Sequence, residues 1–220
     1  FALLDRYEVF CSVLGQPKGD ALAALEFSKT IGLKMCKRLP DIKEVKTGRD
    51  ILIDGVLGLG ASRSPKGRLI RAINFINEAR AKKKVFVISI DLPSGLDPCS
   101  GQVLGQSAVK ADETIMLLSP KQACYTGHAS KHVGTLFFSD LGITNYHKYG
   151  TKTSELIKPD LFRIEKIPKI SHKDSNGSVL ILGGWGNMQG AGFLAGLAAA
   201  KTGVGKVFIC SPNSKFRPME

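Results

Sequence analysis

Two aspartates follow strand-like apolar segments, where the backbone can hold a side chain in one place. Asp54 follows residues 51–53, and Asp91 follows the continuous apolar run 85–90. A carboxylate so placed can serve as general base, general acid or ligand of a hard cation. A structural alternative for Asp91 is that it caps the next turn through the amide of Ser94 or Gly95. The spacing alone leaves both alternatives open.

The loop after Asp54 suits an anionic ligand. Its closely spaced glycines let backbone amides approach a ligand, and amides ahead of a helix favour anions. Arg63 and Lys66 add positive charge for a phosphate. The glycines do not complete a GxGxxG motif, and an ordinary strand-to-helix turn explains them equally well.

A third candidate, Lys121, lies just beyond the strand-like segment 114–118, on the same predicted sheet edge as the aspartates. Charge stabilisation there is one interpretation. The alternative is a solvated surface charge, which is the usual state of a single lysine.

Composition limits the class of protein. The 220 residues are 43% hydrophobic and 23% charged, which excludes a collagen-like or mainly disordered chain. The net charge of +12 favours anionic partners, but no nucleic-acid motif accompanies it. No apolar stretch is long enough for a membrane helix, and no signal peptide is recognised. The five scattered cysteines lack a CxxC pair, so we expect reduced thiols in a cytoplasmic protein.

Strand-like and helix-like segments alternate along most of the chain, which predicts an α/β fold: a parallel sheet with helices on both faces. In such sheets, ligands bind at the carboxyl ends of the strands. Asp54 and Asp91 are therefore expected to frame a pocket at neighbouring strand ends. The predicted strands are 9–14, 51–53, 85–90, 114–118 and 135–138, and the predicted helices are 20–36, with Asp20 as N-cap, and 66–84.

A second unit is predicted after a polar, proline-punctuated linker. An apolar strand at 179–182 runs into a glycine loop, an alanine-rich helix at 191–201 and a strand at 206–210. With only about 48 residues after His172, this unit is shorter than a typical domain.

Several motifs together resemble the NAD(P)H-hydrate epimerase family. They are I-D-G-V-L-G at 53–58, I-S-I-D-L-P-S-G-L-D at 88–97 and K-A-D-E-T at 110–114, continued by Lys121 and 134–143. Segments 171–173, 179–184, 190–191 and 199–205 resemble the start of the ADP/ATP-dependent NAD(P)H-hydrate dehydratase. The order matches that of bifunctional NAD(P)H-hydrate repair enzymes, and the resemblance covers about residues 50–210.

The resemblance implies a Rossmann-like epimerase domain portion at 1–143, a linker at 144–171 and the truncated start of a ribokinase-like dehydratase domain at 172–220. It implies epimerisation of R and S NAD(P)H hydrate, coupled to ADP- or ATP-dependent dehydration of the S form. Hydrated NADH and NADPH are the implied substrates, and we expect a homo-oligomer without nucleic-acid or membrane partners. Asp91 and Lys121 are the implied catalytic residues, and Asp54 and Ser94 the implied potassium ligands; magnesium would accompany ADP or ATP. The implied substrate-binding residues are Gly58, Leu59, Gly60, Ala61, Ser62, Arg63, Ser64, Asp91 and Ala191.

One feature of the family is not recognised in the sequence. Epimerases carry an Asn-Asn-Gly-Gly-Asp-Gly loop upstream, and Pro17, Lys18, Gly19 and Asp20 do not reproduce it. A catalytically inactive nucleotide-binding scaffold of the same fold is therefore one alternative. A ribokinase-like small-molecule kinase, suggested by the second unit alone, is the other.

Overall fold

The computed structural model describes residues 6–36, 38–143, 154–157, 175–185, 188–211 and 217–219. The chain divides into two compact units, Phe1–Ser154 and Glu155–Glu220. Most of the predicted linker 144–171 lies outside the described residues, as does His172. The predicted boundaries at 143 and 172 therefore stay predictions.

The first unit contains two parallel sheets. β1 pairs with β2 in a two-stranded sheet, and the main sheet has the order β3-β4-β5-β6 with every pair parallel. The predicted parallel α/β architecture is thus confirmed. In chain order the elements are β1 (Phe10–Ser12), α1 (Asp20–Thr30), β2 (Lys34–Cys36), β3 (Ile51–Asp54), α2 (Arg68–Lys83), β4 (Phe86–Ile90), β5 (Glu113–Leu117) and β6 (Thr135–Ser139).

One face of the main sheet carries the core. Val87, Ser89, Thr114 and Met116 alternate with less buried neighbours, as the two-residue period of a strand requires. α2 packs Ile73 and other apolar side chains into the cluster that contains Val87. Two short 3-10 turns, Gln122–Cys124 and Ala129–Lys131, contribute to a second cluster with Met116. Among the described residues, α1 buries no side chain, so the helical cover comes from α2.

The predicted helix 20–36 is too long, and its predicted cap is misplaced. α1 ends at Thr30, Gly32 takes a φ of +81°, and residues 34–36 form β2. A residue in the left-handed region ends a helix, and glycine adopts that region without steric cost. The N-cap is Gly19, so Asp20 is the first helical residue. Its negative charge there interacts favourably with the positive end of the helix dipole.

The second unit contains the predicted strand, helix and strand, together with one strand that the sequence did not indicate. β7 (Ser178–Leu182) pairs in parallel with β8 (Lys206–Cys210), α3 spans Gln189–Lys201, and β9 (Arg217–Met219) pairs antiparallel with β8. Ala191 lies exposed in the first turn of α3. The ribokinase-like assignment of this unit stays a prediction. None of the helices in the described residues is both long and apolar enough to cross a membrane.

Candidate functional site

Asp54 is a fully buried carboxylate at the end of β3, and four protein donors surround it. Its Oδ2 accepts hydrogen bonds from Ser89 Oγ and from the Ser94 amide, both at 2.8 Å. Its Oδ1 accepts from Ser94 Oγ at 2.5 Å and from the Val56 amide at 3.2 Å. Hydrogen bonds of this kind stabilise a buried carboxylate without a cation. Asp54 therefore ties together β4 and the two loops that follow β3 and β4.

Ser94 extends this connection to the start of the glycine loop. Its Oγ accepts a hydrogen bond from the Leu57 amide at 2.8 Å, while its own hydroxyl hydrogen is donated to Asp54. Gly58, the first residue of the predicted substrate-binding loop 58–64, directly follows Leu57 in the chain. The orientation of the whole 58–64 loop is thus set by side chains that lie at the ends of two neighbouring strands.

The 58–64 loop presents backbone to solvent. The Ala61 amide donates to the Gly58 carbonyl at 3.1 Å, which forms a tight turn, and residues 58–60 and 62–64 are exposed. Ser64 lies against Gly105, where a Cβ would collide with the Ser64 hydroxyl. An exposed turn of this kind is open to a ligand, as the sequence predicts.

Asp91 ends β4 in an unusual backbone conformation, with a φ of +70°. Non-glycine residues in this region are uncommon and mark positions held by the surrounding structure. Its Oδ1 accepts a hydrogen bond from the Leu117 amide at 3.0 Å and pairs with Lys121 Nζ at 2.9 Å. Within the described part of the chain, Oδ2 makes no hydrogen bond. One carboxylate oxygen is therefore anchored, and the other is available to a substrate.

The surface-charge interpretation of Lys121 is wrong, because only 13% of its side chain is exposed. Its ammonium group contacts Asp91 and also donates to the carbonyls of Leu117 at 2.6 Å and Ser119 at 3.0 Å. Two hydrogen bonds and one ion pair thus hold the ammonium group in place. Lys121 thus positions Asp91, and its predicted direct role in catalysis stays a prediction.

Cys124 is a neighbour of this ion pair that no motif in the sequence indicates. It is buried, and its Sγ lies 3.9 Å from the Asp91 carbonyl oxygen, to which it donates. Burial, followed by the nearby charge of Asp91, raises the pKa of the Cys124 thiol to about 11. The group is therefore a neutral thiol at physiological pH.

This pKa predicts the order in which the cysteines react with an alkylating agent. The thiolate is the form that reacts. A raised pKa of the Cys124 thiol lowers the fraction of thiolate at any pH below about 11. Between pH 7 and 9, iodoacetamide should label the exposed Cys99 and Cys210 and spare Cys124. Peptide mass spectrometry measures each site. Labelling of Cys124 at the rate of Cys99 at pH 8 in the folded protein would contradict this burial.

The predicted site residues fall into two connected pairs, the 58–64 loop and one residue of the second unit. Asp54 bonds to Ser94, and Asp91 bonds to Lys121, while β3 and β4 are adjacent strands. The two aspartates thus lie at neighbouring strand ends, but their carboxylates have different partners. Ala191 belongs to the second unit.

Two details of the site differ from the sequence-based picture. The alternative in which Asp91 caps the turn through the Ser94 or Gly95 amide is wrong, because the Ser94 amide donates to Asp54 and, among the described residues, no hydrogen bond joins the Gly95 amide to Asp91. Ser89 was missed as a partner of Asp54. Its position as the one hydroxyl within the apolar run 85–90 was the available signal, since a buried polar group needs a partner.

The residues around Asp54 do not fit a potassium ion as they are arranged. Each carboxylate oxygen already accepts two protein hydrogen bonds, and Ser94 Oγ is both donor and acceptor. A cation would have to displace one of these bonds. Moreover, no group of three or more His, Cys, Asp and Glu side chains suited to a metal ion occurs among the described residues. Potassium on Asp54 and Ser94 stays a prediction of the resemblance.

Comparison with known proteins places the first unit in a family context. Residues 3–123 match the family model described as YjeF-related protein N-terminus. The match begins well before residue 50, so the prediction that similarity starts there is wrong. β1, α1 and the loop between them lie inside the matched region, although no family motif is recognised in their sequence.

Curated relatives and one solved structure extend this finding. The bifunctional NAD(P)H-hydrate repair enzyme Nnr of Coxiella burnetii is 34% identical over 89% of this chain and 39% of its own length. The enzyme of the same name from Archaeoglobus fulgidus is 31% identical over 95% of this chain and 41% of its own. The chain thus spans about two-fifths of the length of these relatives. The crystal structure of yeast ynu0, YNL200c, is similar with a TM-score of 0.53 and 13% identity, covering 71% of this chain and 65% of the yeast chain, which shows the fold alone.

Proposed function

The chain belongs to the family described as YjeF-related protein N-terminus, and on that premise we propose that its first unit epimerises the R and S forms of hydrated NADH and NADPH. The observation that carries the proposal is Asp91, which has one oxygen anchored by Lys121 and Leu117 and the other unbonded within the described residues. The names of the curated relatives support the choice of substrate.

The proposed reaction inverts one carbon next to the nicotinamide ring nitrogen. That carbon carries a hydroxyl group, which departs as water after it gains a proton, while the nitrogen lone pair forms the second bond of an iminium ion. A water molecule then adds to the opposite face and loses a proton. The gained and lost protons balance, and no electron is transferred.

Asp91 would move these protons. Its free Oδ2 accepts the proton of the attacking water or returns one to the departing hydroxyl, which is general acid–base catalysis. The ion pair and the Leu117 amide hold the carboxylate in one orientation. Little further conformational entropy is therefore lost when the carboxylate meets the substrate. The exposed 58–64 loop would bind the phosphates through its backbone amides. No step uses potassium.

The coupled dehydration belongs to the second unit and rests on the resemblance alone. A dehydratase would phosphorylate the hydroxyl of the S form with ADP or ATP and magnesium, and then eliminate the phosphate. Ala191 in the first turn of α3 would contact the hydrate. Oligomer formation also stays a prediction.

Of the two alternatives, the inactive scaffold has a specific observation in its favour. The segment from the loop after β1 into the start of α1, which contains Pro17, Lys18, Gly19 and Asp20, does not reproduce the Asn-Asn-Gly-Gly-Asp-Gly pattern of the family. The kinase alternative has no comparable support, because the family match lies in the first unit.

A stereochemical assay tests the proposal. The protein is mixed with purified R hydrate of NADPH, and the appearance of the S form is followed by chromatography. We expect interconversion in proportion to protein concentration and well above the spontaneous rate. A rate equal to that of buffer, with the protein shown to be folded by circular dichroism, would favour the scaffold.

A further inference from the structure

One cavity of the first unit is not lined by Asp54 or Asp91. It has a volume of about 340 Å³ and lies between the ends of β1 and β2 and the beginning of α2. We call it the arginine cavity, because Arg38, Arg68 and Arg71 line it. The carboxyl ends of parallel strands are the usual place for ligands in α/β proteins.

The charge of this cavity is unbalanced. Arg38 is paired with Glu44 at 2.8 Å, but within the described residues Arg68 and Arg71 form no ion pair. No acidic residue is among the described residues that line the cavity. Two exposed guanidinium groups one helical turn apart, at the edge of a cavity, are suited to the oxygens of a phosphate.

The position of the two arginines is unfavourable for the helix itself. Both lie in the opening turn of α2, where no acidic residue is present. Cations at the N-terminal end of a helix oppose its dipole and reduce stability. Residues that reduce stability locally are often retained for function.

Apart from the arginines, Ser12 and Cys36, the described wall of the cavity is apolar. Val13, Leu14 and Leu39 supply hydrophobic surface next to the arginines. A wall of this kind suits a planar base, and a volume of 340 Å³ lies at the lower end of the range of small-molecule sites. The cavity is therefore matched to a nucleoside phosphate rather than to a whole dinucleotide.

We propose that the arginine cavity binds the adenosine half of the dinucleotide, with Arg68 and Arg71 on its phosphate oxygens. This inference rests on the proposed function, since the 58–64 loop that would hold the pyrophosphate leads directly into α2. Hydrated NADPH carries an extra phosphate on the adenosine ribose, and arginine is the residue that accommodates it. The protein should consequently prefer hydrated NADPH over hydrated NADH.

The test uses adenosine 2′,5′-bisphosphate, which has the proposed phosphates but no nicotinamide. Its affinity is measured by calorimetry for the wild-type protein and for the double variant Arg68→Gln, Arg71→Gln. Loss of the charged contacts should weaken binding by about tenfold or more, which corresponds to roughly 1.4 kcal/mol. The melting temperature of the variant should be unchanged or higher, because the unfavourable charges at the helix start are gone.

A matched control removes two positive charges elsewhere. Arg49 and Lys131 are exposed and precede β3 and β6, at the amino edge of the main sheet. Arg49→Gln, Lys131→Gln should leave the affinity within twofold of wild type. Equal weakening in both double variants would indicate only a general charge effect and would overturn the proposal, as would the absence of wild-type binding.

The same variants separate this inference from the proposed function. If the protein epimerises the hydrate, the arginine variant should raise the KM for hydrated NADPH about tenfold more than that for hydrated NADH, with little change in kcat. If the protein does not epimerise, arginine-dependent binding of the bisphosphate still supports the cavity. Epimerisation with an unchanged KM and unchanged bisphosphate affinity would refute the cavity alone.

Discussion

Asp91→Asn is expected to lower the rate of hydrate epimerisation by about 10²–10⁴-fold, the range that a positioned acid–base group contributes. Asparagine keeps the shape of the side chain and can accept the Leu117 hydrogen bond, but it cannot carry the proton. The loss should therefore fall on kcat, with a small change in KM. Stereochemical exchange followed by chromatography measures both constants.

Two control variants test whether the loss of kcat is specific to the Asp91 carboxylate. Asp140→Asn makes the same chemical change at an exposed turn, where the carboxylate accepts one hydrogen bond from Gly142, and should leave kcat unchanged. Lys121→Met removes the partner that holds Asp91 and should lower kcat less than Asp91→Asn does. Near-normal turnover by a folded Asp91→Asn protein would remove Asp91 from the mechanism.

Asp54→Asn is expected to have the largest effect on stability. The carboxylate accepts four hydrogen bonds, and the amide nitrogen of asparagine would face two of those donors without accepting from them. Buried donors left without an acceptor cost about 1–3 kcal/mol each, so we expect the free energy of unfolding to fall by about 2–6 kcal/mol. Urea unfolding followed by circular dichroism measures this change.

The Asp140→Asn variant is again the matched control and should change the free energy of unfolding by less than about 0.5 kcal/mol, as exposed substitutions usually do. A fall of less than about 1 kcal/mol for Asp54→Asn would mean that the buried hydrogen bonds do not hold the two loops. The same measurement in choline chloride and in potassium chloride reports on the ion. Because Asp54 is already saturated by protein donors, equal stability is expected in the two salts.

The sequence was sufficient to predict the main sheet and the placing of the two aspartates. Continuous apolar runs predict strands such as β4. Each aspartate directly follows such a run, and this places it at the carboxyl end of a strand. The sequence alone did not group Asp54 with Ser94 or Asp91 with Lys121. The resemblance to the family motifs supplied those two groupings. The ion pair at 2.9 Å and the hydrogen bonds of Ser94 agree with those groupings.

Other features depend on contacts between residues distant in the chain. Cys124 contacts the Asp91 carbonyl across 33 residues, and neither its type nor its spacing indicates this. The early end of α1 depends on the left-handed conformation of Gly32, whereas the apolar spacing through Met35 favours a longer helix. The arginine cavity could not be predicted from the sequence for the same reason, because Arg38 and Arg68 line one cavity although they are far apart in the chain.

Isotope exchange during inversion tests the central claim most directly. If Asp91 assists departure of the hydroxyl and activates the returning water, each inversion in H₂¹⁸O replaces one oxygen of the hydrate. Mass spectrometry of the separated R and S forms should show one ¹⁸O incorporated into each newly formed epimer with the wild-type protein, and exchange slowed by at least about 10²-fold with Asp91→Asn. Protein-dependent inversion without ¹⁸O, or full exchange by Asp91→Asn, would contradict the account.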